Sequence, residues 1–189
     1  MALISFTWGA GPTTAAAAAA IETGGSLTLT LAGAVTHLGG IGASAALSLG
    51  YLVGEPGGET GENLLNATVV TAAAVGAAKI LLGRARPYVE GGGGRFAGPS
   101  LDDAYHSMPS GHTANAFAMA TVLAARYPDA APALYGAAAA VGASRIVLGV
   151  HWLSDVLVGA AVGVAVGRAV VSGRLRVLHL DAEVAGGGS

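Results

Sequence analysis

Long apolar stretches separated by short polar turns run through most of the chain. Residues 27–53 carry no formal charge, and residues 64–82 are interrupted only by Asn66 and Lys79. About 20 apolar residues allow a helix to cross the hydrocarbon core of a bilayer. We therefore expect each stretch to form a membrane-spanning helix, with residues 55–62 as the polar turn between them.

Three more apolar stretches follow a long polar loop at residues 83–109. They are residues 113–125, 131–150 and 152–171, and the first ends in an Arg-Tyr-Pro-Asp sequence typical of a helix stop and turn. Helices are the expected form, because a bilayer core offers no water to unpaired backbone groups. The pattern predicts an all-α, multi-spanning transmembrane helix bundle with five or six spans.

The ends of the chain are less regular than its middle. Residues 1–26 contain an alanine run and a Gly-Pro pair, and we predict an interfacial helix or a weak first span there. Residues 27–176 form the predicted transmembrane domain, and residues 177–189 a polar, disordered tail. No basic segment precedes an apolar run at the N-terminus, so we expect no cleaved signal peptide.

Composition supports the membrane interpretation. The chain is 53% hydrophobic and 11% charged, whereas soluble domains carry about 25% charged residues. The apolar excess is mostly small residues, which let helices approach closely in a bilayer; a soluble alanine-rich protein is the competing interpretation. The net charge of −2 argues against nucleic acid as a partner, and the absence of cysteine excludes disulfides and thiolate chemistry.

Polar residues that interrupt the apolar stretches fall into three clusters. Ionisable residues in membrane helices are costly and therefore mark functional sites. If the predicted spans alternate in direction, all three clusters meet at one membrane surface, which places a candidate active site at one membrane face. The clusters contain Lys79, Arg84 and Arg86; Ser110, Gly111 and His112; and Arg145, His151 and Asp155.

The chemistry of the clusters points to an anion and a nucleophile. Arginine presents paired donors that match phosphate oxygens, and lysine adds a point charge. The Ser-Gly-His sequence lies at a predicted helix start, where backbone N–H groups favour an anion. His151 and Asp155 are four positions apart on one helical face. The carboxylate can hold one imidazole nitrogen so that the other is presented as a nucleophile.

Together these residues resemble the type-2 phosphatidic acid phosphatase superfamily, which includes lipid phosphatases, bacterial acid phosphatases, glucose-6-phosphatase and vanadium haloperoxidases. The resemblance covers residues 79–155, and the apolar flanks fit the membrane-bound branch. The matching motifs are Lys79-x6-Arg86-Pro87, Pro109-Ser110-Gly111-His112 and Ser144-Arg145-x5-His151-x3-Asp155.

The resemblance implies a role for each matching position. His151 would attack phosphorus and form a phosphohistidine, with Asp155 orienting it. His112 would protonate the leaving alkoxide and then help a water hydrolyse the intermediate. No metal or other cofactor is implied. The phosphate oxygens would be held by Lys79, Arg86, Ser110, Gly111 and Arg145.

We therefore expect a phosphatase acting on a lipid phosphate of the phosphatidic acid, phosphatidylglycerophosphate or polyprenyl diphosphate type, with membrane lipids as its surroundings. A vanadium-dependent haloperoxidase, a non-catalytic lipid-binding or transport protein, and transfer to an acceptor other than water are the alternatives. The positive-inside tendency predicts a cell-membrane protein whose active site faces outward, because Arg126, Arg168, Arg174 and Arg176 lie on the face opposite the motifs. The oligomeric state stays open.

Other polar residues are placed outside the predicted site. Arg84 is expected to be a loop or headgroup contact, His37 a packing residue and His106 a loop residue. The glycine run at residues 91–94 suggests a mobile lid over the site.

Overall fold

The computed structural model describes residues 25–56, 58–91 and 94–179. The regular secondary structure of these residues is helical, with isolated β-bridges in place of strands. Three helical segments are long and apolar enough to cross a membrane, and a bent pair of helices at the start makes up to four. The helices are α1 (Gly25–Gly39), α2 (Ile41–Gly54), α3 (Glu59–Leu82), α4 (Gly111–Arg126), α5 (Ala131–Val147) and α6 (Leu153–Val171).

Helix α4 lies at the centre of the bundle and packs against α3, α5 and α6. Its contact with α6 depends on glycines spaced four residues apart. A Cβ atom at Gly163 would lie 2.1 Å from the carbonyl oxygen of Ala114, and the positions of Gly159 and Gly167 are similarly closed. Small residues at this spacing let two membrane helices approach until their backbones touch. The contact fixes where α4 and α6 begin, and both helices begin at the predicted site.

The apolar stretch at residues 27–53 forms two helices that are bent by 48° where they meet. The bend follows a 3-10 turn, His37–Gly39. A Cβ atom at Gly39 would lie 2.6 Å from both the carbonyl oxygen of His112 and a methyl group of Val141. The chain therefore passes directly over the start of α4, and a straight helix does not follow that path.

Helix α3 begins earlier than the sequence pattern predicts. The expected turn at residues 55–62 is wrong in its second half, because the helix starts at Glu59. Gly58 adopts a left-handed conformation with φ of 60° and redirects the chain. The carboxylate of Glu55 then accepts a hydrogen bond of 2.9 Å from the backbone N–H of Thr60. This bond satisfies one of the unpaired donors at the helix start.

Asn66 interrupts the apolar run of α3 for a structural reason. It is fully buried, and its Oδ1 accepts hydrogen bonds of 2.8 Å from the backbone N–H groups of Val177 and Leu178. Its Nδ2 donates to the Leu178 carbonyl at 3.0 Å. The segment after α6 therefore packs back onto α3. The rest of the predicted tail, and the predicted N-terminal helix up to residue 24, lie outside the described residues.

The helices alternate in direction and give the bundle two distinct ends. At one end, here called the site end, α3 and α5 finish and α4 and α6 begin. At the opposite end the Arg126 side chain pairs with Glu55 at 3.2 Å, which joins the finish of α4 to the segment between α2 and α3.

Candidate active site

All of the predicted site residues lie at the site end. Four helix ends, the loop before α4 and the α5–α6 turn each contribute, so residues far apart in sequence come together as the alternating topology predicts. Lys79 is in the last turn of α3, Arg86 in the loop, Ser110, Gly111 and His112 at the start of α4, Arg145 in the last turn of α5, His151 in the turn and Asp155 in the first turn of α6.

The carboxylate of Asp155 is buried and held on all sides. Its Oδ2 accepts hydrogen bonds from the Ser107 hydroxyl at 2.5 Å and from the Trp152 backbone N–H at 2.8 Å. The Nδ1 atom of His151 lies 3.5 Å from the same oxygen. That distance is longer than an ordinary hydrogen bond, and catalytic hydrogen bonds are often long before a substrate binds. The imidazole therefore faces a fixed carboxylate with its Nδ1 side.

The environment of His151 favours its neutral form. Burial lowers the pKa of His151 below its ordinary value of 6.5, and the nearby charges of Lys79, Arg86 and Arg145 lower it further. The Asp155 carboxylate acts in the opposite direction. A neutral imidazole has a lone pair on the nitrogen that does not face the carboxylate, and a nucleophile needs that lone pair.

Arg84 is a residue that the sequence analysis left outside the site. Its side chain points inward, and its Nη1 lies 2.5 Å from Asp155 Oδ1 and 2.6 Å from the Ser154 hydroxyl. Arg84 is a loop residue, as one of its two expected roles requires, but its guanidinium is directed at Asp155 and not outward to a headgroup. Charge balance was the missed signal, because a carboxylate in an apolar helix needs a cationic partner. Because Lys79, Arg86 and Arg145 are all expected to hold the phosphate, none of the cations in the motifs remains as a partner for Asp155.

Arg86 already binds an anion in this structure. Its Nη2 lies 2.8 and 2.9 Å from the two carboxylate oxygens of Asp103, and its Nε donates to the Asp103 carbonyl at 2.9 Å. The Asp103 carboxylate is well exposed, whereas the Arg86 side chain is largely buried. The hydrogen bonds to Asp103 use Nε and Nη2 of Arg86 and do not involve Nη1.

Arg145 is only partly satisfied by the protein. Its Nη1 donates to the Thr36 hydroxyl at 2.7 Å, which ties the end of α5 to α1. Its Nε is buried and has no hydrogen-bond partner among the described residues. A buried donor without a partner is costly, so an anion at this position would be stabilised.

Lys79 and Ser110 complete the polar lining. The ammonium of Lys79 donates to the carbonyl oxygen of His106, a loop residue as expected. The Ser110 hydroxyl is buried and accepts a 2.9 Å hydrogen bond from Thr113, which leaves its own proton for another acceptor. Gly111 follows at the first position of α4 and lies 3.9 Å from the Lys79 side chain at its Cβ position. These groups surround one small volume at the start of α4.

His112 lies between the charged cluster and an apolar cavity. It is within electrostatic reach of Lys79, Arg145, His151 and His37. Its Nε2 lies 3.9 Å from the Cβ position of Gly40. His37 itself is exposed at the start of the 3-10 turn.

A cavity of about 250 Å³ extends from the site along α3. Lys79, Gly111 and His112 line one end, and mostly small or apolar side chains line the remainder. Two larger cavities, of about 350 and 510 Å³, include none of the predicted site residues. The remaining lining residues are Gly39, Gly40, Ile41, Thr68, Thr71, Ala72, Val75, Gly76 and Asn115.

The described part of the chain contains no cluster of three or more His, Asp or Glu side chains arranged to hold a metal ion. The side chains that converge here are cations, histidines and one buried carboxylate. This set suits an anion better than a cation, and metal independence stays a prediction.

The chain belongs to the PAP2 superfamily, whose family model matches residues 62–177. The resemblance seen in the three motifs is thereby confirmed. Over 69 residues the chain is 52% identical to a lipid A 1-phosphatase from Porphyromonas gingivalis. The aligned residues make up 34% of this chain and 16% of that protein. Over 77 residues it is 39% identical to an acid phosphatase from Zymomonas mobilis, covering 41% and 26%. The matches thus span far less than two thirds of these relatives.

Two solved structures share the fold. The crystal structure of Aquifex aeolicus LpxE superposes with a TM-score of 0.65 at 25% identity, covering 77% of this chain and 86% of that one. A transmembrane PAP2-type phosphatidylglycerolphosphate phosphatase from Bacillus subtilis has a TM-score of 0.58 at 23% identity, covering 87% of each chain. With the long apolar helices, these similarities identify an all-helical integral membrane protein.

Proposed function

We propose that this protein is a membrane-embedded, metal-independent phosphatase that hydrolyses a lipid phosphate through a phosphohistidine at His151. The family and the convergence of the motif residues support phosphate chemistry. A lipid substrate is favoured by one observation: the apolar cavity that begins at Lys79 and His112 and follows α3 into the bundle. A phosphate among the cations would leave an attached apolar chain room to enter this cavity. The lipid A 1-phosphatase relatives act on a substrate of the same general kind.

The proposed reaction has two steps. The Nε2 lone pair of His151 attacks phosphorus while the bond from phosphorus to the ester oxygen breaks, and His112 gives its proton to the departing alkoxide. A water then attacks the phosphohistidine, with His112 accepting a proton from that water, and inorganic phosphate leaves. Asp155 orients His151 throughout.

Charge stabilisation comes from fixed groups of the protein. During phosphoryl transfer, negative charge spreads over the three equatorial oxygens of the phosphoryl group. Donors that are already oriented stabilise this charge without reorganising. In our proposal these donors are the side chains of Lys79, Arg86, Arg145 and Ser110 and the backbone N–H of Gly111.

We also propose that the chain crosses the membrane five or six times, with the site end facing outward at the cell membrane. Five crossings would be the bent α1–α2 pair and the helices α3, α5 and α6, which are long and apolar enough to span, together with the shorter α4 of 16 residues. The opposite end carries the basic residues expected on the cytoplasmic side. They are Arg126, Arg168, Arg174 and Arg176.

A leucine at Gly76 tests the lipid-tail assignment. Gly76 lines the cavity, and no atom lies within 4 Å of its Cβ position, so the backbone has space for a side chain here and we expect Gly76→Leu to reduce the cavity volume. We expect KM for a long-chain lipid phosphate to rise on the order of tenfold, as about 1.4 kcal/mol of apolar burial is lost. The rate with water-soluble para-nitrophenyl phosphate should not change.

The matched control is Gly136→Leu in α5, which also meets nothing within 4 Å but lies outside the cavity lining. It should change neither the KM for the lipid phosphate nor the rate with para-nitrophenyl phosphate. Equal kinetics of Gly76→Leu and the wild type with the lipid would refute the tail assignment. An equal loss with both substrates would show that the substitution disturbs the site itself.

A further inference from the structure

The ion pair between Arg84 and Asp155 is among the most enclosed charged contacts in the described part of the protein. The two side chains are 13% and 0% exposed, with 2.5 Å between Nη1 and Oδ1. Asp155 uses its other oxygen for Ser107 and for the Trp152 backbone. The carboxylate thus has one side that faces His151 and another that faces Arg84.

Arg84 is itself held from several directions. Its guanidinium carbon lies 5.3 Å from the centre of the Phe96 ring and 5.9 Å from that of Trp152. Its Nε donates to the carbonyl of Gly94 at 3.3 Å. Aromatic rings within about 6 Å of a guanidinium favour its charge. The residue is therefore fixed between the loop and the start of α6.

The backbone of Arg84 adds a second connection. It forms isolated bridges with Phe96 and His106, and its carbonyl accepts a 3.0 Å hydrogen bond from the Ser107 N–H. Ser107 donates in turn to Asp155. Arg84 therefore sets the place of Asp155 directly through its side chain and indirectly through Ser107.

We propose that Arg84 is a positioning residue for catalysis: through Asp155 it holds the imidazole of His151 in its reactive orientation, and it takes no part in binding the phosphate. Its Nε and Nη1 are occupied by Gly94, Ser154 and Asp155, whereas Arg145 retains a buried nitrogen without a partner among the described residues. The inference rests on the proposed nucleophilic role of His151.

The proposal predicts a change in pH dependence when Arg84 loses its charge. In Arg84→Gln the negative charge of Asp155 is no longer countered by a guanidinium, so the protonated form of His151 is stabilised and the pKa of His151 rises. The acid limb of kcat should then move to higher pH by about one unit. The groups that face His151 are Lys79 from α3, Arg86 from the loop, His112 from α4, Arg145 from α5 and Asp155 from α6.

The experiment measures kcat, KM and inhibition by inorganic phosphate from pH 5 to 9 for wild type, Arg84→Gln and Arg84→Lys. For Arg84→Gln we expect kcat at pH 6 to fall by up to about tenfold, the most that a one-unit shift of the acid limb can produce. The loss should shrink as the pH rises. KM and the inhibition constant for phosphate should stay within about twofold, and Arg84→Lys should restore the wild-type acid limb.

A double-mutant cycle separates positioning from a merely structural role. In an Asp155→Asn background, Arg84→Gln should lower kcat by less than about twofold further, because both changes interrupt one chain of contacts. A pH-independent loss that adds fully to the loss from Asp155→Asn would overturn the proposal, as would weaker inhibition by phosphate. If Arg84→Gln does not fold, Arg84→Met is measured in its place, and wild-type kcat and pH dependence in that variant would overturn the proposal equally.

The role of Arg84 and the proposed function of the protein can be refuted separately. His151→Ala that retains activity refutes the proposed function. An inactive His151→Ala together with an Arg84→Gln variant that behaves as wild type refutes only the role of Arg84.

Discussion

Two arginine–carboxylate pairs lie at opposite ends of the same helical bundle and differ in almost every physical respect. At the site end Arg84 and Asp155 are 13% and 0% exposed, with a separation of 2.5 Å. At the opposite end Arg126 and Glu55 are 54% and 19% exposed, with a separation of 3.2 Å. An exposed pair contributes about 0–1 kcal/mol, whereas removing one partner of a buried pair costs about 3–5 kcal/mol. The difference shows where the bundle keeps charge away from water.

The site end also contains polar atoms that the protein leaves without partners. Arg145 Nε and His151 Nδ1 are buried and make no hydrogen bond within the described ranges. Asn66, equally buried in α3, has its oxygen and nitrogen fully used by the chain after α6. Asn66 therefore stabilises the fold, whereas the unpaired Nε of Arg145 at the site end is placed to meet an anion.

The largest effect within this comparison is expected for Asp155→Asn. The substitution removes the charge that orients His151 and leaves Arg84 buried without its counter-ion. We expect kcat to fall on the order of 10³- to 10⁴-fold, as when the carboxylate behind a catalytic histidine is made neutral. The free energy of unfolding should fall by about 3–5 kcal/mol. Phosphate release and thermal unfolding in detergent measure the two effects.

Asp155→Asn is informative in both directions. A variant that unfolds at the wild-type temperature would show that the buried pair does not stabilise the bundle. A variant with more than a tenth of wild-type kcat would remove Asp155 from the mechanism.

A much smaller effect is expected for Arg126→Gln at the opposite end. The pair is exposed, so its loss should lower the free energy of unfolding by less than about 1 kcal/mol. Because no site residue touches this pair, kcat and the pH profile should match those of the wild type within about twofold. The same two assays test this, and a tenfold loss of activity would contradict the division of the bundle into two independent ends.

Much of the fold followed from the apolar pattern. The starts and ends of α4, α5 and α6 lie within a few residues of the predicted stretches, because apolar runs between polar turns leave little choice in a bilayer. The start of α3 was missed, since Glu59 and Glu62 look like turn residues although acidic side chains suit the first turn of a helix. The bend between α1 and α2 depends on how Gly39 meets α4, which is a tertiary contact invisible in the sequence.

The residues of the candidate site that belong to a motif could be predicted from the sequence, whereas their contacts outside the motifs could not. The motif residues converge because the helices alternate. The contacts of Arg84 with Asp155, of Asp103 with Arg86 and of Thr36 with Arg145 all join distant parts of the chain. None of these pairs has a fixed spacing in the sequence. Only the balance of buried charge pointed to Arg84.

The measurement that tests the central claim most directly is trapping of the phosphorylated enzyme. Wild type and His151→Ala are mixed with a lipid phosphate labelled with ³²P in the presence of EDTA and quenched in alkaline detergent. The account predicts label on the wild-type protein that survives alkali and is lost in mild acid, as a phosphorus–nitrogen bond requires, and neither label nor phosphate release for a folded His151→Ala. Phosphate release by His151→Ala, or a wild-type activity abolished by EDTA, would contradict it.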